Sequence, residues 1–330
     1  MNEHIIGRRK LLTGIGAAAL LALAPSRRLH AATLQPFSLG SQYTLWGMVD
    51  IIGKEERLFE KAGIDLDERI FDSGKSARDA VLAGRLDAAV LGATPFIVGA
   101  AKGPMAALGT VGYAGKTIAV VAGNGTGIET VEQLKGKKIA TQVGSSVHHD
   151  FESRIAPKYG LKKGDYQIIN IKFSDLGAAL ASKSVDAFAG DEPQPSVAEY
   201  MGFGHTLVTY DEFVQVPVML GVSRAVVEKR HDAVVAFLKG WLSAVRFIRE
   251  QPERAGHDLW KVFSAQGLNL PEQVVLKSMQ RMRIEPRYDS GLKAYLTDTA
   301  KAMQSEGEID KVPNWDDVLL TEPLEVAMKA

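Results

Sequence analysis

The sequence contains no cysteine among its 330 residues. Disulfide bonds, thiolate metal ligands and cysteine nucleophiles are therefore excluded. The same absence excludes a lipid anchor on an N-terminal cysteine. An excess of charge of one sign is also lacking, because 39 basic residues balance 39 acidic ones. Since no basic run with interleaved aromatic residues occurs beyond the N-terminus, nucleic-acid binding is not expected.

The apolar run near the N-terminus, Leu11 to Leu23, is too short to span a membrane. It is preceded by Arg8-Arg9-Lys10 and followed by Ala31-Ala32, which is the pattern of a cleaved export signal. The paired arginines are typical of the twin-arginine route for folded proteins. We predict a signal peptide at residues 1–32 and a periplasmic protein that is not lipid-anchored. An uncleaved N-terminal anchor is the alternative.

Short apolar runs alternate with helical patterns along the following segment. Strands are predicted at residues 37–40, 67–72 and 86–91, and helices at residues 44–52, 55–63 and 77–83. This α/β alternation is typical of a parallel sheet. The chain is long enough for two domains with cores of their own. From residue 225 onward the pattern is helical.

One segment of the chain recurs about a hundred residues later. Ala80 to Pro95 and Ala179 to Pro193 share a helix, a polar turn, an Asp-Ala pair, a buried strand and a proline. Two copies indicate two similar α/β lobes rather than a solenoid. Extended runs at residues 116–122 and 216–222 predict a pair of crossover strands between these lobes.

The stretch from Ile139 to His149 combines a short apolar strand, the turn Gly144-Ser145-Ser146 and the start of a helix. Such a turn directs unpaired backbone N–H groups and the positive end of a helix dipole to one point, which favours an anion. His148 adds a charge or a hydrogen-bond donor. Ordinary helix capping by Ser145 or Ser146 and a solvated His148 are the alternatives.

Four segments, in this order, resemble one known family: LFEKAGIDLD, AGRLDAAVLGATP, IETVEQLKGKKIATQVGSSVHH and VDAFAGDEP. The family is the substrate-binding proteins of ABC importers, in the branch that binds aliphatic sulfonates, taurine and nitrate. Binders of thiamine pyrimidine precursors belong to the same branch. The resemblance extends over residues 36–250 and is specific for fold and class but not for the ligand.

The resemblance implies the type II periplasmic binding protein fold, with two α/β lobes, a hinge of two crossover strands and a helical C-terminal part. Lobe I is expected at residues 33–116 and 220–330, and lobe II at residues 117–219. The implied function is delivery of a small organic anion or zwitterion to the transmembrane subunits of an ABC permease. The protein is expected to act as a monomer, without a cofactor, a metal ion or enzymatic activity.

The resemblance also implies ligand contacts in loops at the carboxyl ends of strands, where open α/β sheets bind ligands. The candidate residues are Ser41, Gln42, Tyr43, Ser73, Gly74, Thr94, Gly144, Ser145, Ser146, His148, Asp191 and Glu192. Turn formation and capping are the alternative roles of the serines and Thr94. Two carboxylates, Asp191 and Glu192, disfavour a bare anion and suit a ligand with an ammonium, ring N–H or hydroxyl group. Solvation, or pairing with lysines elsewhere, is their alternative role.

Three other functions remain open from the sequence: binding of an aminopyrimidine, sensing of a solute for a membrane receptor, and catalysis. Sulfinate desulfinases share the expected fold, but they use a cysteine nucleophile that this chain lacks. No G-x-S-x-G nucleophile motif is present. His148 and His149 are adjacent rather than four residues apart, so they do not form a helical metal motif. An enzyme is therefore the least favoured of the three.

Overall fold

The computed structural model describes residues 34–268 and 270–329. The predicted export signal at residues 1–32 lies outside these residues. Within the described part of the chain, none of the helices has both the length and the apolar character that a membrane span requires.

A six-stranded sheet forms the centre of the first lobe. Its strands are β1 (Gln35–Ser41), β2 (Ile64–Ile70), β3 (Ala88–Gly92), β4 (Met105–Tyr113), β10 (Pro217–Ser223) and β11 (Arg283–Ile284), in the order β11-β4-β10-β3-β1-β2. Strand β1 runs parallel to β2 and β3, whereas β10 runs antiparallel to β3 and β4. We call the part of the chain around this sheet lobe I.

A five-stranded sheet forms the centre of the second lobe. Its strands are β5 (Ile118–Gly123), β6 (Lys138–Thr141), β7 (Gln167–Asn170), β8 (Ala187–Asp191) and β9 (Gly204–Thr209), in the order β7-β6-β8-β5-β9. Strand β6 runs parallel to β7 and β8, and β5 runs antiparallel to β8 and β9. The two sheets share this local pattern, so the prediction of two similar α/β units is confirmed. We call this part lobe II.

Helices cover both sheets and form the C-terminal part. Lobe I carries α1 (Met48–Glu55), α2 (Leu58–Lys61), α3 (Gly74–Leu82) and α4 (Ala93–Lys102) before its first crossover to lobe II. Lobe II carries α5 (Ser146–Asp150), which continues as a π-helical turn over Phe151–Ile155, and α6 (Leu176–Ala181) and α7 (Gln194–Tyr200). The C-terminal helices are α8 (Arg224–Lys229), α9 (His231–Glu250), α10 (Pro252–Ala265), α11 (Glu272–Arg281), α12 (Leu292–Ser305), α13 (Trp315–Val318) and α14 (Glu322–Lys329).

The sequence repeat has a structural cause in its two aspartates. Asp87 precedes β3, and its carboxylate accepts a hydrogen bond from the Ser38 backbone N–H at 2.8 Å. Asp186 precedes β8, and its carboxylate accepts one from the Lys138 backbone N–H, also at 2.8 Å. Each aspartate therefore joins the start of one strand to the parallel strand beside it. The Asp-Ala sequence occurs twice because both sheets contain this arrangement of two parallel strands.

Two short crossovers, residues 114–117 and 210–216, connect the sheets. They are held together by hydrogen bonds from Ala114 N to Val216 O at 2.9 Å and from Gly115 N to Gln215 O at 3.0 Å. The predicted pair of crossovers between the lobes is confirmed. The extended runs at 116–122 and 216–222 lie mainly in β5 and β10, each of which begins directly after a crossover. Strand β10 begins before residue 220, where the second part of lobe I was expected to start. The predicted lobe boundaries otherwise stay a prediction.

A stack of three phenylalanines fixes α9 against lobe I. The ring of Phe237 lies 4.3 Å from that of Phe37 on β1 and 5.4 Å from that of Phe59 on α2, measured between ring centroids. Phe237 is completely buried. Helix α9 is therefore part of the lobe I core rather than an appended helix.

We expect the substitution Phe237→Ala to lower the free energy of unfolding by about 3–5 kcal/mol, because it leaves a cavity within this stack. Urea denaturation followed by circular dichroism measures the effect. The control Val326→Ala removes an exposed side chain and should change the value by less than about 0.5 kcal/mol. Equal effects of the two substitutions would show that α9 does not depend on the stack.

Candidate functional site

A cavity of about 250 Å³ lies between the lobes, and both lobes contribute to its lining. Lobe I contributes Gln42, Trp46, Ser73, Gly74, Lys75, Gly92 and Pro95, and lobe II contributes Gln142, Val143, Gly144, Ser145, Ser146, Asn170, Lys172 and Phe173. Most of these residues lie at or just beyond the carboxyl ends of β1, β2, β3, β6 and β7, as expected for ligand sites in open α/β sheets. We call this space the first cavity.

Three helices begin at the wall of the first cavity. Ser73, Gly92 and Ser145 are the N-caps of α3, α4 and α5. Two of these residues also cap their helices through their side chains: the Ser73 hydroxyl accepts a hydrogen bond from Ser76 N at 3.1 Å, and the Ser145 hydroxyl accepts one from His148 N at 3.2 Å. Capping and cavity lining therefore coincide, and the positive ends of three helix dipoles meet there.

Ser146 joins the two lobes at the cavity wall. Its hydroxyl accepts a hydrogen bond from the Thr94 backbone N–H at 2.9 Å, and the serine is completely buried. Gly92 permits this approach, because a Cβ atom at that position would lie 2.6 Å from Ser146 Oγ. The Thr94 hydroxyl is buried and has no hydrogen-bond partner within the described residues. Ser146 therefore serves as a contact between lobes as well as a lining residue.

The polar groups of the first cavity favour an anion. Lys75 and Lys172 line it, and within the described residues its lining includes no carboxylate side chain. Gln42 is 5% exposed, and its Nε2 atom has no hydrogen-bond partner in the described part of the chain. A buried N–H group without a partner is costly unless a ligand accepts its hydrogen bond. Ammonium groups, an amide and helix N-termini thus converge on one space.

The lining residues from lobe II also hold the lobes together. Lys172 Nζ lies 2.5 Å from Asp72 Oδ2, and Gln142 Nε2 donates a hydrogen bond to Asp72 O at 2.8 Å. Gln142, Asn170 and Lys172 were not among the residues predicted from the sequence. Gln142 directly follows β6 and could have been found by the strand-end rule, whereas the other two lie at the end of β7, a strand that was not predicted.

A second cavity of about 340 Å³ adjoins the first, since Gln42 and Phe173 line both. Its other lining residues include Tyr43, Phe71 and Asp191. Asp191 is almost completely buried, and burial raises the pKa of its carboxyl group well above the usual range. The second cavity thus combines aromatic walls with an acidic group.

Four candidate residues line neither cavity, namely Ser41, Thr94, His148 and Glu192. Both oxygens of the Glu192 carboxylate are occupied. Oε1 pairs with Arg281 Nη1 at 2.5 Å and accepts a hydrogen bond from the Ser196 hydroxyl at 2.9 Å, and Oε2 accepts one from Ser196 N at 3.1 Å. Ser41 is completely buried beside α1, and its hydroxyl has no partner among the described residues. The ligand contacts predicted for Glu192 and Ser41 stay predictions, since neither residue is among the lining of the two cavities.

His148 is the third of these residues. It lines a separate small cavity of about 60 Å³, where its Nε2 atom lies 3.4 Å from Glu152 Oε2. Burial lowers the pKa of the imidazole. His148 is not among the lining residues of the first cavity, and the ligand contact predicted for it stays a prediction. Thr94 is the fourth of these residues and lines the same small cavity.

Asp150 connects lobe II to the C-terminal helices. Its carboxylate accepts hydrogen bonds from the Tyr295 hydroxyl on α12 at 2.7 Å and from Arg154 Nε at 3.0 Å. Arg154 also donates to the Thr299 hydroxyl at 3.1 Å. Burial raises the pKa of Asp150 to about 6, although Tyr295 and Arg154 oppose this increase. The sequence analysis did not anticipate this contact.

We expect Asp150 to make the stability of the protein depend on pH. Its pKa of about 6 in the folded protein exceeds the ordinary value of 3.8. The unfolded chain therefore loses this proton first, and the free energy of unfolding falls by up to about 3 kcal/mol between pH 4 and pH 6. Urea denaturation at several pH values measures this loss.

The variant Asp150→Asn should lack this part of the pH dependence, whereas Asp298→Asn, at an exposed position on α12, should retain it. Other buried acids contribute equally to the pH dependence of wild type and of both variants, so their contributions cancel when the profiles are compared. Identical pH profiles for wild type and Asp150→Asn would contradict the expectation.

Comparison with known proteins identifies relatives over most of the described chain. The model of the NMT1-like family matches residues 44–257. A Brucella abortus protein provisionally named as a binding protein is 33% identical over 181 residues, which are 54% of either chain. This chain thus spans about half the length of that relative. A Bacillus subtilis protein provisionally named as an aliphatic sulfonates-binding protein is 31% identical over 229 residues, covering 67% of this chain and 68% of that protein.

Among solved structures, the periplasmic aliphatic sulphonate binding protein SsuA from Escherichia coli matches with a TM-score of 0.73 at 23% identity. The match covers 86% of this chain and 97% of that one. This similarity concerns the fold. The chain has the two-lobed α/β architecture of periplasmic binding proteins, as its two sheets and paired crossovers indicate.

Proposed function

The chain belongs to the NMT1-like family, and on that premise we propose that it is a solute-binding protein of an ABC importer. Its ligand is a small organic anion or zwitterion of the sulfonate or taurine type. The observation that carries this proposal is the first cavity, where Lys75, the Gln42 amide and three helix N-termini meet without a carboxylate among the described lining residues. Lys172 also lines this cavity but is paired with Asp72. The name of the Bacillus subtilis relative supports the sulfonate class.

The proposed mechanism is closure of the lobes around the ligand. A ligand that contacts Gln42 on lobe I and the start of α5 on lobe II makes its full set of contacts only when the lobes are together. It therefore stabilises the closed state by the difference in contacts between the two states. The proposed moving bodies are lobe I and lobe II, each built around its own sheet, with crossovers 114–117 and 210–216 as the hinge between them.

The proposed partners are the transmembrane subunits of an ABC permease, to which the protein delivers its ligand as a monomer. No bond of the ligand is made or broken in this role. The proposed location is the periplasm, reached through a cleaved twin-arginine signal at residues 1–32 and without a lipid anchor. The name of the Escherichia coli structural neighbour, a periplasmic binding protein, supports this location.

An aminopyrimidine of the thiamine-precursor type is the second candidate ligand. The second cavity favours it, because Tyr43, Phe71 and Phe173 provide apolar walls for a flat ring. Asp191 in the same cavity can accept a hydrogen bond from an amino group. A ligand panel separates the two candidates, since a sulfonate requires the first cavity and an aminopyrimidine requires the second.

We expect isothermal titration calorimetry to detect binding of at least one member of a panel of taurine, alkanesulfonates, aromatic sulfonates, nitrate and aminopyrimidines. Gln42→Ala should weaken the binding of a sulfonate about 10-fold or more, because a hydrogen bond to a charged group contributes roughly 1.5–3 kcal/mol. The control Gln251→Ala replaces an exposed glutamine at the end of α9 and should bind like wild type. A sulfonate that binds Gln42→Ala and wild type equally would place the ligand elsewhere.

A further inference from the structure

Asp191 is a buried acid for which the described residues provide no counter-ion. It lies at the end of β8, is 3% exposed and lines the second cavity. Its Oδ2 atom has no hydrogen-bond partner, and none of the described Lys, Arg or His side chains forms an ion pair with it. An isolated ionised carboxylate in such a position is strongly disfavoured. A proton on Asp191 removes this cost while the cavity is empty.

The other oxygen of Asp191 competes with a backbone carbonyl for the single hydrogen of the Thr117 hydroxyl. Oδ1 lies 2.5 Å from Thr117 Oγ1, and the same hydroxyl lies 2.9 Å from Ala114 O. A threonine hydroxyl has one hydrogen, and a backbone carbonyl can only accept. If Thr117 donates to Ala114, its short contact with Asp191 is favourable only when the carboxyl group carries a proton and donates it.

The charged groups around Asp191 agree with a neutral carboxyl group. Glu192 follows it in the chain and raises its pKa, but the Glu192 carboxylate is paired with Arg281. Asp72 lines the same cavity and is paired with Lys172. The hydrogen bond with Thr117 lowers the pKa of Asp191, and the nearby Trp46 indole N–H, which is outside hydrogen-bond geometry, lowers it by a smaller amount. Burial, the largest effect, raises the pKa of Asp191.

We propose that Asp191 recognises a cationic nitrogen of the ligand and releases its own proton to solvent when that nitrogen binds. This inference rests on the proposed function and narrows its ligand class to zwitterions. The anionic group of the ligand occupies the first cavity, and its ammonium group occupies the second, on the other side of Gln42. Glu192, whose oxygens are occupied, does not take part.

The proton balance of this step is one proton per ligand. The O–H bond of the neutral carboxyl group breaks, the proton goes to solvent, and the resulting carboxylate accepts a hydrogen bond from the ammonium group, which keeps its charge. The Thr117 hydroxyl can then donate to Asp191 instead of Ala114. Because Ala114 and Thr117 belong to the first crossover, occupation of the second cavity changes a hydrogen bond within the proposed hinge.

Calorimetry with taurine and ethanesulfonate tests the proposal, because the amino group of taurine is the difference between these probes. Each titration is performed at one pH in two buffers of different ionisation enthalpy, which gives the number of protons released. We expect wild type to bind taurine at least 10-fold tighter than ethanesulfonate and to release about one proton with taurine alone. Asp191→Asn should lose both the preference and the proton release but retain ethanesulfonate binding, and Asp298→Asn should behave like wild type.

Equal affinity of wild type for the two probes, or taurine binding without proton release, overturns the proposal. If neither probe binds, the proposal that the ligand is a sulfonate fails. Infrared spectroscopy of the free protein then shows whether the Asp191 carboxyl group is protonated. A C=O band of a protonated carboxyl group at neutral pH that is lost in Asp191→Asn supports the proton, and no loss refutes it. Should Asp191→Asn not fold, Thr117→Val keeps the carboxyl group and must shift the same band by removing its hydrogen bond.

Discussion

The pairing of the two crossovers is the constraint on which the rest of the structure depends. Strands β4 and β10 are neighbours in the first sheet, and β5 and β9 are neighbours in the second, so both passages of the chain between lobes lie side by side. The hydrogen bonds of Ala114 with Val216 and of Gly115 with Gln215 join them. Val216 has a positive φ of 45°, an unfavourable conformation for a β-branched residue. Strain of this kind is found where a structure changes state.

This connection makes the carboxyl ends of the central strands of the two sheets face each other, and the polar groups between them divide into two kinds. The pairs Glu192–Arg281 and Lys172–Asp72 are satisfied by the protein and join the lobes. The Gln42 amide and the Asp191 carboxyl group have free hydrogen-bonding capacity in the described structure. The first kind connects the lobes through ion pairs of the protein itself, and the second leaves hydrogen-bonding groups that a ligand can satisfy. An anionic end and a cationic end of one molecule would satisfy both free groups.

The sequence predicted the features that follow from local chemistry. Ser73 and Ser145 cap helices because their hydroxyls reach the N–H groups of the first turn, and the aspartates of the repeated segment fix neighbouring strands. It did not predict β4 or β7, whose sequences lack a clear alternation of apolar and polar residues, and Asn170 and Lys172 were therefore missed. The sequence also could not show that, within the described part of the chain, Glu192 is paired with an arginine whereas Asp191 is not. Consecutive residues at a strand end point in different directions, and only the packing of α11 shows which carboxylate meets an arginine.

The crystal structure of the protein with a bound organic sulfonate tests the central claim most directly, namely that the ligand is held between the lobes at converging helix N-termini. The account predicts that the sulfonate oxygens lie within hydrogen-bond distance of Gln42 Nε2 on lobe I and of backbone N–H groups at the starts of α3 and α5. A sulfonate bound to one lobe alone, or outside the first cavity, would contradict it.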